Sequence, residues 1–564
     1  VTFWLISRSW YQADDFIYLW KVDQPGKLLE TMFTPYVGHL LPGDFLLTWL
    51  TQRPAQMNWG INAAVTTAGL VIAAILVWRV LRSLLGVRPC GVVLMIAYLA
   101  SGSIIATAFW WAAAIEYVPI LIGLPLMILL IQRALATPTW TAALLPALAL
   151  IATLFFFEKT LIYVPFLVLL VATTPLVPDA APTASGRLRQ AIRPLVALLS
   201  VAFAYGLLYL SITSGESRRP ALSIDLLGGI TPAPAVSTLF PNLVGFDGPD
   251  SVLGINLAQF LGITVATGLL IRTSIRYWRG LRHWALLAGL ISVNIALLAL
   301  ASRRAPAVER YWSDLVFPML LLVGLSQVGS RFEQRSGGTA PVTDRGSSQR
   351  IRLLSWPAAG LATFIVIASI NLINHPPPRA AVAAEAYVSN ALRSASQFDR
   401  SIELLEQEVP GTVMSTILLR PFNTTQTVLE PSSGMFSFVT SSPDPFMVLD
   451  SGEVIPARLE VIREASGVDR DCSSTTGEPG AETLDIVNRP VGPEMRYGQL
   501  EYRSDRSSIA VISWDDRSVE VPIDAGAGSV TFAIDGGDWR RITISSTEGD
   551  LCAIALRIGT LEPR

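Results

Sequence analysis

The sequence predicts a multi-pass α-helical membrane protein of about eleven spans, followed by an exported β-rich domain of jelly-roll or sandwich type. Three observations predict it. Long apolar runs alternate with short polar links up to about residue 374, arginine collects in every second link, and short alternating segments fill the end of the chain. Of the 564 residues, 51% are hydrophobic and 15% charged, whereas ordinary soluble domains carry about a quarter charged residues. Mean hydropathy is +0.48 and the pI is near 6.1. A formal charge of −2 excludes a nucleic-acid binder, which would show a basic stripe.

A helix needs roughly 20 apolar residues to cross a bilayer. The opening stub VTFWLIS is too short, so the expectation is that the sequence begins inside its first helix; the stub has neither the basic region nor the cleavage site of a secretory signal. Later spans are expected at 58–82, 89–109, 115–135, 140–157, 160–177, 193–213, 254–272, 284–301, 312–330 and 353–374. The stretch 140–177 can also be read as two short or re-entrant helices. Arginines 79, 82 and 88, then 133, then 187, 189 and 193, then 272, 276, 279 and 282, and finally 331 to 352 fall on one side if the spans alternate. Short cytoplasmic loops collect Arg and Lys, so that side is cytoplasmic. The loop holding Asp14 and Asp15, the loop 214–253 and everything after Asn374 then lie outside.

The expected division is a transmembrane domain over 1–374, a helical stalk and mixed α/β segment over 375–470, and a sandwich over 471–564. HPPPR opens the stalk as a stiff break. The segments SSIAVIS, SVEVPI, SVTFAI, RRITISS and CAIALRIG alternate like half-buried strands. Cys472 and Cys552 lie in this exported part, where an oxidising compartment permits a disulfide. Cys90 stands alone at a cytoplasmic helix end.

Chemistry is expected at the outer ends of the spans. Asp14 and Asp15 adjoin in YQADDFIYLW. Two adjacent carboxylates repel, which raises the pKa of one of them unless a cation sits close, and such a group can take a proton from a hydroxyl. The competing reading is a capping turn for the helix that follows. Glu116, and then Glu158 with Lys159, mark later outer junctions, where ionisable groups are rare and face a cavity or each other; interfacial anchoring is the alternative. Arg303, Arg304, Arg310 and Tyr311 occupy SRRAPAVERYWSD on the side opposite to the positive-inside bias. Guanidinium forks suit phosphate, whether on a carrier or in ordinary headgroups. Arg218 and Arg219 form a weaker second cluster. His39, in GHLLPG, can hydrogen-bond a hydroxyl or a carboxylate, or serve structure alone. Trp110 and Trp111 can stack on a sugar or sit in the aromatic belt. With three histidines in all, no CxxC and no Gly-rich phosphate loop, no metal cluster or nucleotide site is predicted.

The residues YQADDFIYLW, EYVP, FEKT and RRAPAVERYWSDL, with the spans and the β-rich tail, make the chain resemble the GT-C superfamily of membrane glycosyltransferases. It also resembles actinobacterial multipass envelope proteins that share the GHxxPG loop. The resemblance implies transfer of a hexose or pentose, with inversion, from a polyprenyl-phosphate-linked sugar donor to a glycan or lipid acceptor at the outer face of the plasma membrane. It further implies Asp14 or Asp15 as base and Arg303, Arg304 and Arg310 as the phosphate grip. No cofactor is required, although the acidic pair admits a divalent cation bridging it to phosphate. Trp514 and Trp539 are expected as exposed aromatics for a polysaccharide, with the sandwich as a packed wall the alternative. A transporter or flippase for a lipid-linked saccharide is the rival reading, and an assembly scaffold the third. Transporters place ionisable groups at the bilayer midplane within inverted repeats, whereas here they cluster at the outer ends.

Overall fold

The computed structural model of the protein describes residues 2–86, 89–213, 239, 255–276, 278–300, 309–328, 377–416, 419–432, 434–464, 482–485, 496–514, 517–534, 541–548 and 551–564. Arg218, Arg219, Arg303, Arg304, Cys472, Trp539 and the span expected at 353–374 lie outside the described residues. Chain contacts divide the protein into two units.

The first unit comprises Val1–Ser9, Gln24–Thr51 and Asn58–Pro377. Its helices, in chain order, are α1 (Thr2–Ile6), then, after α2 (Asp14–Asp23) of the other unit, α3 (Leu28–Phe33), α4 (Pro42–Gln52), α5 (Trp59–Leu85), α6 (Pro89–Leu99), α7 (Gly102–Ala108), α8 (Trp111–Ala136), α9 (Trp140–Leu154), α10 (Tyr163–Thr173), α11 (Ala184–Gln190), α12 (Ile192–Thr213), α13 (Ile255–Arg276), α14 (Leu281–Leu300) and α15 (Ser313–Val328). Among the described residues, five helical segments are long and apolar enough to cross a bilayer: Trp59–Leu85, Cys90–Ala108, Trp111–Ala136, Ile192–Ile212 and Trp278–Leu298. The described residues do not confirm the count of about eleven.

Two of the expected stretches are interrupted locally. The span expected at 89–109 is interrupted at Ser101, whose hydroxyl accepts from Ile104 N and starts α7, and Cys90–Ala108 still counts among the segments long enough to cross. The stretch 140–177 divides into α9, a 3-10 turn at Glu158–Ile162 and α10. At about 1.5 Å per residue neither helix reaches across about 30 Å of hydrocarbon. Glu158 and Lys159 occupy the break.

Small residues allow these helices to approach closely, as packing in lipid requires. A Cβ on Gly123 of α8 would lie 2.3 Å from Thr153 Oγ1 of α9, and one on Gly69 of α5 would lie 2.4 Å from Val118 Cγ1 of α8. Gly123→Ala should cost about 1–3 kcal/mol through overpacking, read as a lower unfolding midpoint in detergent. Gly206→Ala, where a Cβ meets nothing within 4 Å, should leave the midpoint in place or raise it. Equal midpoints for the two variants would refute the close approach.

The second unit comprises Trp10–Asp23, Gln52–Met57 and Pro378–Arg564. The segment with Asp14 and Asp15 thus folds with the C-terminal part of the chain. Helix α2 buries Phe16, Ile17, Leu19 and Val22, and Trp20 Nε1 donates to Glu430 Oε2 at 2.7 Å. Its further helices are α16 (Arg379–Ala395) and, after the first strand, α17 (Thr425–Leu429); the strands run β1 (Ile402–Leu405), β2 (Phe436–Val439), β3 (Ser441–Ser442), β4 (Phe446–Val448), β5 (Val454–Glu464), β6 (Glu482–Asp485), β7 (Arg496–Ser504), β8 (Ser508–Trp514), β9 (Arg517–Ile523), β10 (Gly526–Ile534), β11 (Arg541–Ser546) and β12 (Leu551–Pro563). An 8-stranded sheet has the order β2-β1-β4-β5-β12-β7-β10-β3, and a 4-stranded sheet the order β6-β11-β8-β9.

Alternate residues of both sheets, among them Leu500, Ile512, Val521, Phe532, Ile544 and Leu556, form one buried core. This is the sandwich that the alternation predicts. The strands before and after residue 470 share the larger sheet, because β5 pairs antiparallel with β12. The expected boundary at 470 therefore runs between strands of one sheet. Trp514 is 5% exposed within the core, because the inward phase of β8 carries Ala510, Ile512 and Trp514 together. It is not the exposed glycan-stacking aromatic that the sequence suggested. Cys552 is buried in β12.

Candidate functional site

The acidic pair is split by the geometry of its turn. Ala13 has φ 50°, in the left-handed region that costs a non-glycine residue of order 1–3 kcal/mol. That turn brings the Asp15 carboxylate back to accept from Gln12 N at 2.9 Å, and Asp15 is fully buried. This bond ties the Asp15 carboxylate to the turn that precedes α2. Asp14 is half-buried in the first turn of α2. Beside them Tyr11, also buried, accepts from Gln52 Nε2 at 3.1 Å.

In the first unit, polar residues from distant parts of the chain meet at the break before α10. His39 is placed by a two-residue turn in which Tyr36 and His39 exchange backbone hydrogen bonds, both 2.9 Å. Val37 (φ 53°) and Gly38 (φ 81°) are both left-handed there, as a type I′ turn demands. Gly38 suits the position; a β-branched Val37 does not. Val37→Asn should raise the unfolding midpoint, and a lower midpoint would contradict this reading of the turn. The His39 ring pairs through Nδ1 with Glu158 Oε1 and packs edge-on against Phe157 at 5.6 Å.

Lys159 points the other way. Its Nζ donates to Asp314 Oδ1 at 2.9 Å and to Tyr311 O at 3.0 Å. The second Asp314 oxygen accepts from Tyr163 OH at 2.8 Å. Both side chains of the ion pair are buried, 9% and 0% exposed, so Lys159 acts as a strut between the 158–163 and 309–314 segments. Arg310 lies with its guanidinium 3.9 Å from the centre of the Trp110 ring and 4.8 Å from that of Tyr311, and its Nη2 donates to Tyr311 OH at 3.2 Å. Among the described residues no carboxylate forms an ion pair with it. Trp111 is buried and donates to Thr48 Oγ1 at 3.0 Å. Glu116 is half-buried and, with Arg310, Tyr311 and Asp314, lies in electrostatic range of Tyr117. The structure therefore brings His39, Glu158, Lys159, Glu116, Arg310 and Tyr311 into one polar region.

Two members of the region were not singled out from the sequence, Asp314 and Asp44. Both stand in apolar runs, SDLVFPMLLL and LLPGDFLLTWL, and an acid in such a setting was the available signal. Asp44 is fully buried in the first turn of α4, and neither of its oxygens meets a hydrogen-bond donor. Burial, and then the charges of Glu116 and Glu158, push its pKa well above 3.8. A raised folded pKa gives stability that is complete below the ordinary carboxyl value and is lost as pH rises through the folded one. Asp44→Asn should therefore match the parent in acid and exceed it in stability increasingly as pH rises. A difference that stays constant with pH, read from unfolding midpoints, would sink the assignment.

Among the described residues no group of three or more His, Cys, Asp or Glu is placed to hold a metal ion. Apolar helices long enough to span a bilayer define a membrane protein, which also carries a unit of two β-sheets. No family model matches the chain, and no curated protein matches it. Among solved structures, it is similar to a single-particle cryo-EM structure of the arabinofuranosyltransferase AftD from Mycobacteria, with a TM-score of 0.37 and 11% identity. That match covers 99% of this chain and 60% of the other, so this chain spans about three fifths of the length of that protein.

Proposed function

We propose that the protein is a glycosyltransferase that moves a sugar from a polyprenyl-phosphate carrier to a glycan or lipid acceptor at the outer face of the cytoplasmic membrane. The observation that carries the reading is Arg310, a guanidinium stacked on Trp110 and Tyr311 with no carboxylate partner among the described residues. A planar fork held by aromatic faces keeps its edge N–H groups for an oxyanion. The carrier phosphate docks there, joined by Arg303 and Arg304. The base that takes the acceptor proton is assigned to Asp14 or Asp15 on the resemblance to the GT-C superfamily alone, Asp14 being the less buried of the two. The acceptor oxygen bonds to the anomeric carbon as the carbon–oxygen bond to the carrier phosphate breaks, and the configuration inverts. Cations held at the leaving phosphate stabilise charge that grows in the transition state. His39, Glu158 and Glu116 orient sugar hydroxyls. Cys472 and Cys552 close a disulfide in the exported unit.

Membranes of a deletion strain, supplied with the full-length chain and with labelled polyprenyl-phosphate pentose or hexose, provide the test. Transfer of label by the parent, and its loss in Asp14→Asn at normal expression, is the expected result. Undiminished transfer by Asp14→Asn would remove Asp14 as that base, and movement of the lipid-linked sugar across the membrane without transfer would replace the reading by a transporter.

A further inference from the structure

We infer that α5 and α6 hold one anionic phospholipid, independently of the transferase reading, in an open groove of about 360 Å³ at the arginine-bearing end of α5. Positions 71, 75, 78, 79 and 82 share one face of α5, since a helix returns every third or fourth residue. That face changes character along its length: Val71 and Ile75 are apolar and about half exposed, Trp78 follows, and Arg79 and Arg82 end it, both exposed. Met95 and Leu99 of α6 form the opposite wall.

The dimensions fit one lipid chain. From residue 71 to residue 82 the axis rises by about 16 Å at 1.5 Å per residue, close to one leaflet of a hydrocarbon core about 30 Å thick. An acyl chain fills the apolar stretch, and the two guanidiniums then stand at headgroup depth with an interfacial indole beside them. Among the described residues neither Arg79 nor Arg82 forms an ion pair with a carboxylate. Two unneutralised forks at the end of an apolar trough favour a phosphate with net negative charge over a zwitterionic headgroup. On the positive-inside reading the lipid belongs to the cytoplasmic leaflet.

The test uses the full-length protein, delipidated in detergent and titrated with phosphatidylglycerol or with phosphatidylcholine of the same chains. Bound lipids are counted by native mass spectrometry. The first phosphatidylglycerol should bind at a concentration about tenfold below phosphatidylcholine. Arg79→Gln with Arg82→Gln should abolish that preference, and Ala74→Phe, which fills the groove, should remove the first site for both lipids. Equal binding of the two lipids by the parent, or a preference that survives the double arginine change, would overturn the inference. So would full competition by glycerol phosphate, which carries the headgroup charge without chains. If the arginine variant does not fold, Ala74→Phe decides, and phosphatidylglycerol binding unchanged by it would also overturn the inference.

Discussion

Arg310→Ala should lower kcat/KM for sugar transfer by about two to three orders of magnitude, the usual cost of removing a donor aimed at developing charge. The side chain is held by its stack on Trp110 at 3.9 Å, and a cation–π contact of this kind is worth about 0.5–2 kcal/mol. It is also held by one hydrogen bond to Tyr311 OH. These contacts engage the face of the guanidinium and one edge atom, and leave further N–H groups for two phosphate oxygens. Arg310→Lys keeps the charge but loses both the fork and the stack. It should fall between the parent and the alanine variant, with most of its loss in kcat if the group acts on the leaving phosphate. Activity of Arg310→Ala within about threefold of the parent, well below the loss expected for such a donor, would rule out this residue as the phosphate grip.

Asp314→Leu should cost about 3–5 kcal/mol of stability, because it strands the buried Lys159 ammonium. The cation would retain Tyr311 O and the face of the Tyr117 ring, 5.1 Å from its centre, and Tyr163 OH would lose its acceptor. Lys159→Met should cost a comparable amount by stranding the carboxylate. Replacing both together should recover most of the loss, since an apolar pair of similar volume carries no desolvation penalty. The check is a double-mutant cycle of unfolding midpoints in one detergent. Additive losses would mean that the two groups do not stabilise each other. Activity should fall with either single change, because the strut sets the 309–314 segment that carries Arg310.

The polar region was legible in the sequence to the extent that its members broke the apolar pattern. Glu158 and Lys159 after LFFF, and Arg310 in ERYWSD, stand where hydrocarbon gives way to charge. What each does there was not legible. Lys159 and Glu158 are adjacent, yet one turns to Asp314 and the other to His39, because successive residues of a 3-10 turn point about a third of a circle apart. Asp14 and Asp15 were read as an equivalent pair, whereas the turn at the left-handed Ala13 buries Asp15 and bonds it to Gln12 N, leaving Asp14 half-buried.

Composition and periodicity by themselves determined that this chain enters a membrane and ends in a sandwich. Burial of apolar surface follows from the order of residues alone, whether every third or fourth or every second. Only the tertiary structure decided which helices are long enough to cross, that Asp14 folds with the C-terminal unit, and that strands on either side of residue 470 share a sheet. It also decided that Asp44 is sealed from solvent and that Lys159 is neutralised by a partner 155 residues away. These outcomes depend on which distant segments exclude water from one another. A one-dimensional pattern can indicate that a group will be buried, while its partner is set by the packing of the fold.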